Sequence, residues 1–180
     1  MARIILITGG ARSGKSSFAL DMAEHISEKK LFVATCPDID NEMSDRVRRH
    51  KEERQGRGWE TREIEVHLSD FFYEDLREFD VILVDCITLW VNNILHECHN
   101  TDTVVDDTHI KRLCGEWLEK TKNFFGTVIC VTNEVGLGIV PGNALARTYR
   151  DLVGTCNQLI GKTADQVVLV SCGVPLFIKK

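Results

Sequence analysis

An apolar run, Ile4-Ile5-Leu6-Ile7, leads into Gly9-Gly10-Ala11-Arg12-Ser13-Gly14-Lys15-Ser16, and a segment with helical spacing follows. No other stretch constrains the fold as strongly, because it demands a strand, a glycine loop and a helix in immediate succession. The order matches the phosphate-binding loop pattern G-x-x-x-x-G-K-[ST] in the context that pattern requires. In such a loop, successive backbone N–H groups turn inward toward phosphate oxygens, and the following helix adds the positive end of its dipole. Gly9, Gly10, Ala11, Arg12, Ser13, Gly14, Lys15 and Ser16 are therefore nucleotide-binding candidates. Lys15 is expected to reach the β- and γ-phosphates, and the Ser16 hydroxyl to help hold Mg²⁺.

The rest of the chain must build a sheet around that strand. A length of 180 residues suffices for one α/β domain with a substantial core, so residues 1–180 are read as a single nucleotide-binding catalytic domain. The formal charge of −5 argues against a protein that grips nucleic acid, although basic residues cluster between Arg46 and Arg57. The seven cysteines include no C-x-x-C pair and several lie in apolar runs, which reads as a reduced, cytoplasmic chain. The apolar run before the loop is too short for a signal peptide or a membrane span.

Taken in order, Arg3 to Thr8 reads as a buried parallel strand, and Phe18, Ala19, Met22, Ala23 and Ile26 mark the apolar face of the next helix. Leu31 to Thr35 is a second strand ending in Ala34-Thr35-Cys36, at the edge where open parallel sheets bind ligands. Asp38 or Asp40 is expected to cap a mostly solvated helix running to about Arg54, with Met43 and Val47 as its apolar contacts. On that helix His50 falls at the edge of the inward face, aligned with Arg46 and Arg54. Trp59 to Glu65 alternates like a half-exposed strand, Leu68 to Phe79 reads as an amphipathic helix, and Val81 to Val84 delivers Asp85 to a strand's C-terminal end. An acid placed there supports Mg²⁺ in phosphate-loop proteins, directly or through water.

Ile87 to Leu95 reads as helical, and Cys98 to Thr108 as a loop or lid. His96, Cys98, His99 and His109 surround that stretch without a recognised metal-ligand spacing. Ile110 to Phe125 is a helix with Leu113, Trp117, Leu118 and Phe124 or Phe125 as core candidates. Thr127 to Thr132 is a buried strand, followed by a glycine-punctuated loop from Asn133 to Gly142 that belongs, by position, at the ligand edge. Asn143 caps a helix with the stripe Leu145, Tyr149, Leu152, Val153, Cys156, Leu159 and Ile160, while Arg147, Arg150 and Asp151 lie off it. Gln166 to Ser171 is a final strand before a short tail containing Pro175. Strands alternating with helices predict an α/β, mostly parallel sheet with helices on both faces. Spacing alone leaves open a small-molecule kinase or a nucleotide-switched binding protein.

Particular residues go further. Gly9 to Ser16, Glu42-Met43 with Arg49-His50-Lys51, Trp59-x-Thr61-x-Glu63 and Asp85-Cys-Ile-Thr88 together resemble the bifunctional adenosylcobinamide kinase/adenosylcobinamide-phosphate guanylyltransferases of cobalamin biosynthesis. Thr132 to Pro141, Arg147-x-x-Arg150-Asp151 and Asn157-Gln158 look like that family's second signature, and only about His96 to Phe125 carries no specific likeness. The resemblance implies a P-loop NTPase of RecA-like fold and a homotrimer. It implies phosphorylation of the aminopropanol hydroxyl of adenosylcobinamide with ATP or GTP, then transfer of GMP from GTP to adenosylcobinamide phosphate through a guanylylated histidine. By motif the histidine is His50, with Lys15 as the other catalytic residue. Further nucleotide contacts carry over onto Ala34, Thr35, Cys36, Lys51, Glu52, Glu53, Arg54, Glu63 and Asp85, and Mg²⁺ onto Ser16 and Asp85. Two departures stand out: Gln55 where the family has proline, and Asp85 where some relatives have glutamate.

Overall fold

The computed structural model describes residues 1–37, 41–100 and 105–180. Seven strands form one sheet in the order β3-β2-β4-β5-β1-β6-β7. They are β1 (Arg3–Thr8), β2 (Lys30–Ala34), β3 (Trp59–Glu63), β4 (Val81–Asp85), β5 (Thr127–Val131), β6 (Gln166–Ser171) and β7 (Val174–Lys179). Every pairing is parallel except β6 with β7. The helices are α1 (Lys15–Ile26), α2 (Asn41–Arg54), α3 (Leu68–Phe71), α4 (Ile87–Asn100), α5 (Asp107–Thr121) and α6 (Ala144–Thr163), with a 3₁₀ turn at Val135–Leu137.

Alternation along each strand divides the core in two. Ile4, Leu6, Leu31, Val33, Ile82, Val84, Val128 and Cys130 face α4, α5 and α6, where Trp90 and Trp117 meet with ring centroids 6.0 Å apart. Ile5, Ile7, Phe32, Leu83, Ile129 and Val131 face the other way, against Ala19, Leu20 and Ala23 of α1. Helices thus cover both faces, as the alternation of elements predicts. The parallel register brings the strands' C-terminal ends to one edge: Ala34 pairs with both Glu63 and Asp85, and Asp85 with Val131. That edge carries the site.

Local competition moves several boundaries. The helix expected over Leu68 to Phe79 stops at Phe71. Beyond it, Tyr73 and Glu74 bond back three residues rather than four, and the Arg77 N–H donates to the Asp75 carboxylate, a local turn that outcompetes helix. Leu76 and Phe79 are buried nonetheless. The stretch read as a loop from Cys98 to Thr108 is shorter: α4 runs on to Asn100, and α5 begins at Asp107 because the Asp106 side chain caps it at His109 N, 2.8 Å away. Residues 101–104 of that stretch lie outside the described ones, as do Asp38 and Asp40 as caps for α2. The tail around Pro175 is strand β7. Cys172 (φ 52°) and Gly173 (φ 77°) form a tight hairpin turn, and the proline is tolerated on an edge strand. Asn143 does cap α6, its side chain accepting from Ala146 N. Of the predicted apolar positions, Ile26, Phe125 and Leu145 are exposed.

Candidate nucleotide site

The loop after β1 is shaped by its own backbone and by two neighbours. A Cβ on Gly9 would stand 2.4 Å from the Val170 carbonyl oxygen and 2.7 Å from Ser13 Oγ. Gly14 has φ +92°, and its missing Cβ leaves room for Gly173, whose N–H donates to Ser13 O at 2.8 Å. The Glu134 N–H donates to Gly9 O at 3.2 Å, and the Thr8 hydroxyl donates to the Glu134 carboxylate at 2.7 Å. Lys15 is buried at the start of α1, with Nζ donating to Gly10 O at 2.9 Å, which curls the side chain back over its own loop. Ser13 Oγ is buried without a hydrogen-bond partner, a donor left for an anion.

This loop forms one wall of a cleft of about 860 Å³, lined by residues from Gly10 to Ser17, His50 and Glu53 of α2, Thr88 of α4, Asn133 to Val135, Leu137, Gly138, and Tyr149 of α6. His50 is thereby brought to the phosphate loop across the sheet edge. Its side chain is 26% exposed, and Nδ1 lies 3.6 Å from Glu53 Oε2, close enough for charge attraction but without a hydrogen bond. The far wall is braced by a polar network. Asn133 N donates to Thr88 Oγ1 at 2.9 Å, Thr132 Oγ1 to Asn157 Oδ1 at 2.7 Å, and Asn157 Nδ2 to Asn133 O at 3.1 Å. Tyr149 OH donates to Thr88 O at 3.2 Å, and burial, with Cys86 nearby, pushes its phenol up to about 12.

A second, smaller recess opens beside His50, lined by Phe32, Ala34, Cys36, Lys51, Arg54 and Asp85. Arg54 is its unusual member. Although α2 reads as a solvated helix, this residue is 5% exposed, with its guanidinium 3.5 Å from the centre of the Phe32 ring. Its Nε and Nη1 are buried without partners. Burial pushes its pKa below the usual arginine range, while Asp85 and Glu53 pull it back up. The unpaired donors suit an acceptor-rich ligand.

The expected residues therefore divide between two neighbouring compartments. Gly10 to Ser16, His50 and Glu53 share the cleft, whereas Ala34, Cys36, Lys51, Arg54 and Asp85 share the recess, with His50 bordering both. Thr35 contributes no free hydroxyl: it is fully buried and donates to Cys86 O at 2.8 Å. Glu63 holds Lys51 in an ion pair of 2.8 Å, and Glu52 lines a separate surface groove. The side chains of Met43, Arg46 and Arg49 lie outside the described residues. Glu134 is the carboxylate that the residue-by-residue reading passed over. Its signal was its place just past the end of β5, where a parallel sheet presents ligands. No cluster suited to a metal occurs among described His, Cys, Asp and Glu side chains. Among the described residues, no helix is long and apolar enough to cross a membrane.

A strand–glycine loop–helix unit with a buried lysine, set at the C-terminal edge of a parallel sheet, defines a P-loop α/β protein. The NeqB ATP synthase subunit of Nanoarcheaum equitans shares this fold with a TM-score of 0.54, over 94% of this chain and 46% of that one, at 11% identity. The RadB recombinase superposes at 0.50, over 93% and 73%, at 13% identity. The sequence narrows the class: residues 5–178 match the family described as cobinamide kinase / cobinamide phosphate guanyltransferase, and the chain belongs to that family. The bifunctional adenosylcobalamin biosynthesis protein CobU of Salmonella typhimurium is 38% identical over 182 residues, 98% of this chain and 99% of that protein. The corresponding protein of Pseudomonas aeruginosa, CobP, is 35% identical over 177 residues, 97% of this chain and 96% of that one.

Proposed function

We propose that this protein phosphorylates adenosylcobinamide with ATP or GTP and then transfers GMP from GTP to the resulting phosphate. The observation that carries the reading is that His50 and the phosphate loop line one cleft. In the kinase step the acceptor hydroxyl oxygen attacks the γ-phosphorus, its proton departs, and the bond to the β-phosphate oxygen breaks. Lys15, the loop N–H groups and Ser13 Oγ hold the charge that develops on the phosphate oxygens.

In the second reaction an imidazole nitrogen of His50 attacks the α-phosphorus of GTP and pyrophosphate leaves from the same loop. An oxygen of the acceptor phosphate then attacks the guanylyl phosphorus and the phosphorus–nitrogen bond breaks, giving adenosylcobinamide-GDP and free histidine. The Glu53 carboxylate, 3.6 Å from Nδ1, would offset the positive charge the ring gains as the phosphorus–nitrogen bond forms. Arg54, Asp85, Ala34 and Cys36 line the small recess next to His50, where the unpaired Arg54 donors would meet acceptor atoms at the nucleotide's edge. Ser16 and Glu134 give the cleft oxygen ligands of the kind Mg²⁺ prefers, and the metal would neutralise triphosphate charge there. Asp85 opens into the recess instead, so its carboxylate would support a metal in the cleft only through water. The proposal includes a homotrimer, which the mass in solution tests, and a cytoplasmic location, which cell fractionation tests.

Incubation with α-labelled GTP should leave acid-labile, alkali-stable label on the parent protein and release pyrophosphate. His50→Asn should take no label yet keep γ-phosphate transfer to cobinamide. Equal labelling of His50→Asn and parent would overturn the nucleophile assignment, and γ-transfer without covalent GMP in the parent would leave a kinase alone.

A further inference from the structure

Past the cleft's mouth the chain from Leu137 to Val140 holds its large side chains out into water. Leu137, Ile139 and Val140 are 81%, 96% and 60% exposed, and Leu145 at the start of α6 is 64% exposed. Scattered apolar residues on a surface mean little, but neighbouring ones on one short segment mark a contact site. The segment is anchored at both ends. Glu134 ties its start to the phosphate loop through Gly9 O and Thr8, and Arg147 Nη1 donates to Pro141 O at 3.0 Å and Gly142 O at 2.7 Å. Leu137 and Gly138 also line the nucleotide cleft, so this apolar ledge is continuous with it.

Size decides what the ledge can meet. A cleft of about 860 Å³ lies within the span that one drug-sized ligand fills, and the triphosphate takes that space. A corrin macrocycle is too large to share it. The reacting hydroxyl stands at the end of a flexible amino-alcohol arm, so the arm can enter while the ring stays outside. The ring must then rest on the rim next to the phosphate loop, and the ledge is that rim. Corrin edges carry methyl groups between amide arms, and aliphatic side chains are the complement of those methyls.

We propose that the Leu137–Val140 ledge, extended by Leu145, is the seat of the acceptor's corrin macrocycle, binding its methyl-bearing edge while the amino-alcohol arm reaches the cleft. The inference rests on the function proposed above. The same seat serves both reactions, because the hydroxyl and its phosphate ester sit at the end of the same arm.

The test compares cobinamide saturation curves, at saturating GTP, for the parent, Ile139→Ser and Ile139→Met, with GTP-dependent self-labelling and mass in solution measured on each. Burial of one large aliphatic side chain predicts a half-saturating cobinamide concentration raised about tenfold or more in Ile139→Ser. Ile139→Met should restore most of the loss, and self-labelling and mass should match the parent in both. An unchanged cobinamide curve in Ile139→Ser overturns the ledge. So does a loss that self-labelling shares, which places the defect in the nucleotide cleft, or one accompanied by a change of mass, which assigns the ledge to a second copy of the chain. A parent protein that transfers nothing to cobinamide is a different failure, since it removes the proposed function itself.

Discussion

The phosphate loop and helix α2 face each other across one cleft but are held in place by different means. Main-chain bonds fix the loop: Ser13 N to Gly10 O, Gly173 N to Ser13 O and Glu134 N to Gly9 O. Side chains hold the end of α2. Arg54 lies over Phe32, Lys51 pairs with Glu63, and Arg57, just past the helix, donates to Asp21 at 3.2 Å and Glu24 at 2.7 Å. Backbone geometry needs only small residues at a few positions, so a glycine pattern announces it. A position set by distant side chains announces nothing locally, because each grip joins residues far apart in the chain.

The largest effect is expected at the loop. Lys15→Ala should lower both cobinamide phosphorylation and self-guanylylation by about 10²–10³-fold, the scale for losing one preorganised charge-stabilising donor. Survival of either reaction at the parental rate would show that the two do not share this wall. Gly9→Ala comes next. Its new methyl would collide with the Val170 carbonyl and Ser13 Oγ, costing about 1–3 kcal/mol in urea unfolding and weakening nucleotide binding. A variant with parental stability and GTP affinity would mean that the loop yields as readily as a helix held by side chains.

The smallest effect belongs to the α2 side. Burial alone would raise the Glu24 carboxyl, but hydrogen bonds from Trp59 and Arg57, with the Arg57 and Lys30 charges, bring it below the usual glutamate range. A carboxyl depressed in the folded state adds stability above its unfolded value and loses it as pH falls through its folded value. Glu24→Gln should therefore cost about 0.2–1 kcal/mol near neutrality. The cost should shrink as the medium is acidified below about pH 4, measured by urea unfolding across pH. A cost that does not change with pH would assign Glu24 a packing role only.

Much of this was legible beforehand where a local rule had no rival. The β1 strand, Asn143 as a cap and the apolar strands β2, β4 and β5 all follow from runs and residue types that permit one outcome. The reading failed where two local preferences competed: Asp75 turning the chain after Phe71, Asp106 starting α5 early, and a proline that fits an edge strand as well as a tail. At the site, the glycine loop could be read from its pattern alone. His50 could be placed on a helix edge by spacing, yet only family resemblance gave it a role, and spacing aligned Arg54 with it without indicating that its guanidinium would be buried over Phe32.

By itself, then, the sequence determined a phosphate-binding loop on a parallel α/β sheet, because glycine spacing and apolar runs act within a few residues of themselves. Tertiary structure decided that His50 shares the loop's cleft, that Asp85 opens into the recess beside it, and that Glu134 belongs to the loop's wall. Those placements follow from strand order and parallel register, which bring the ends of β2, β4, β5 and β1 to one edge. Hydrogen bonding between strands distant in sequence sets that register, and no local pattern contains it.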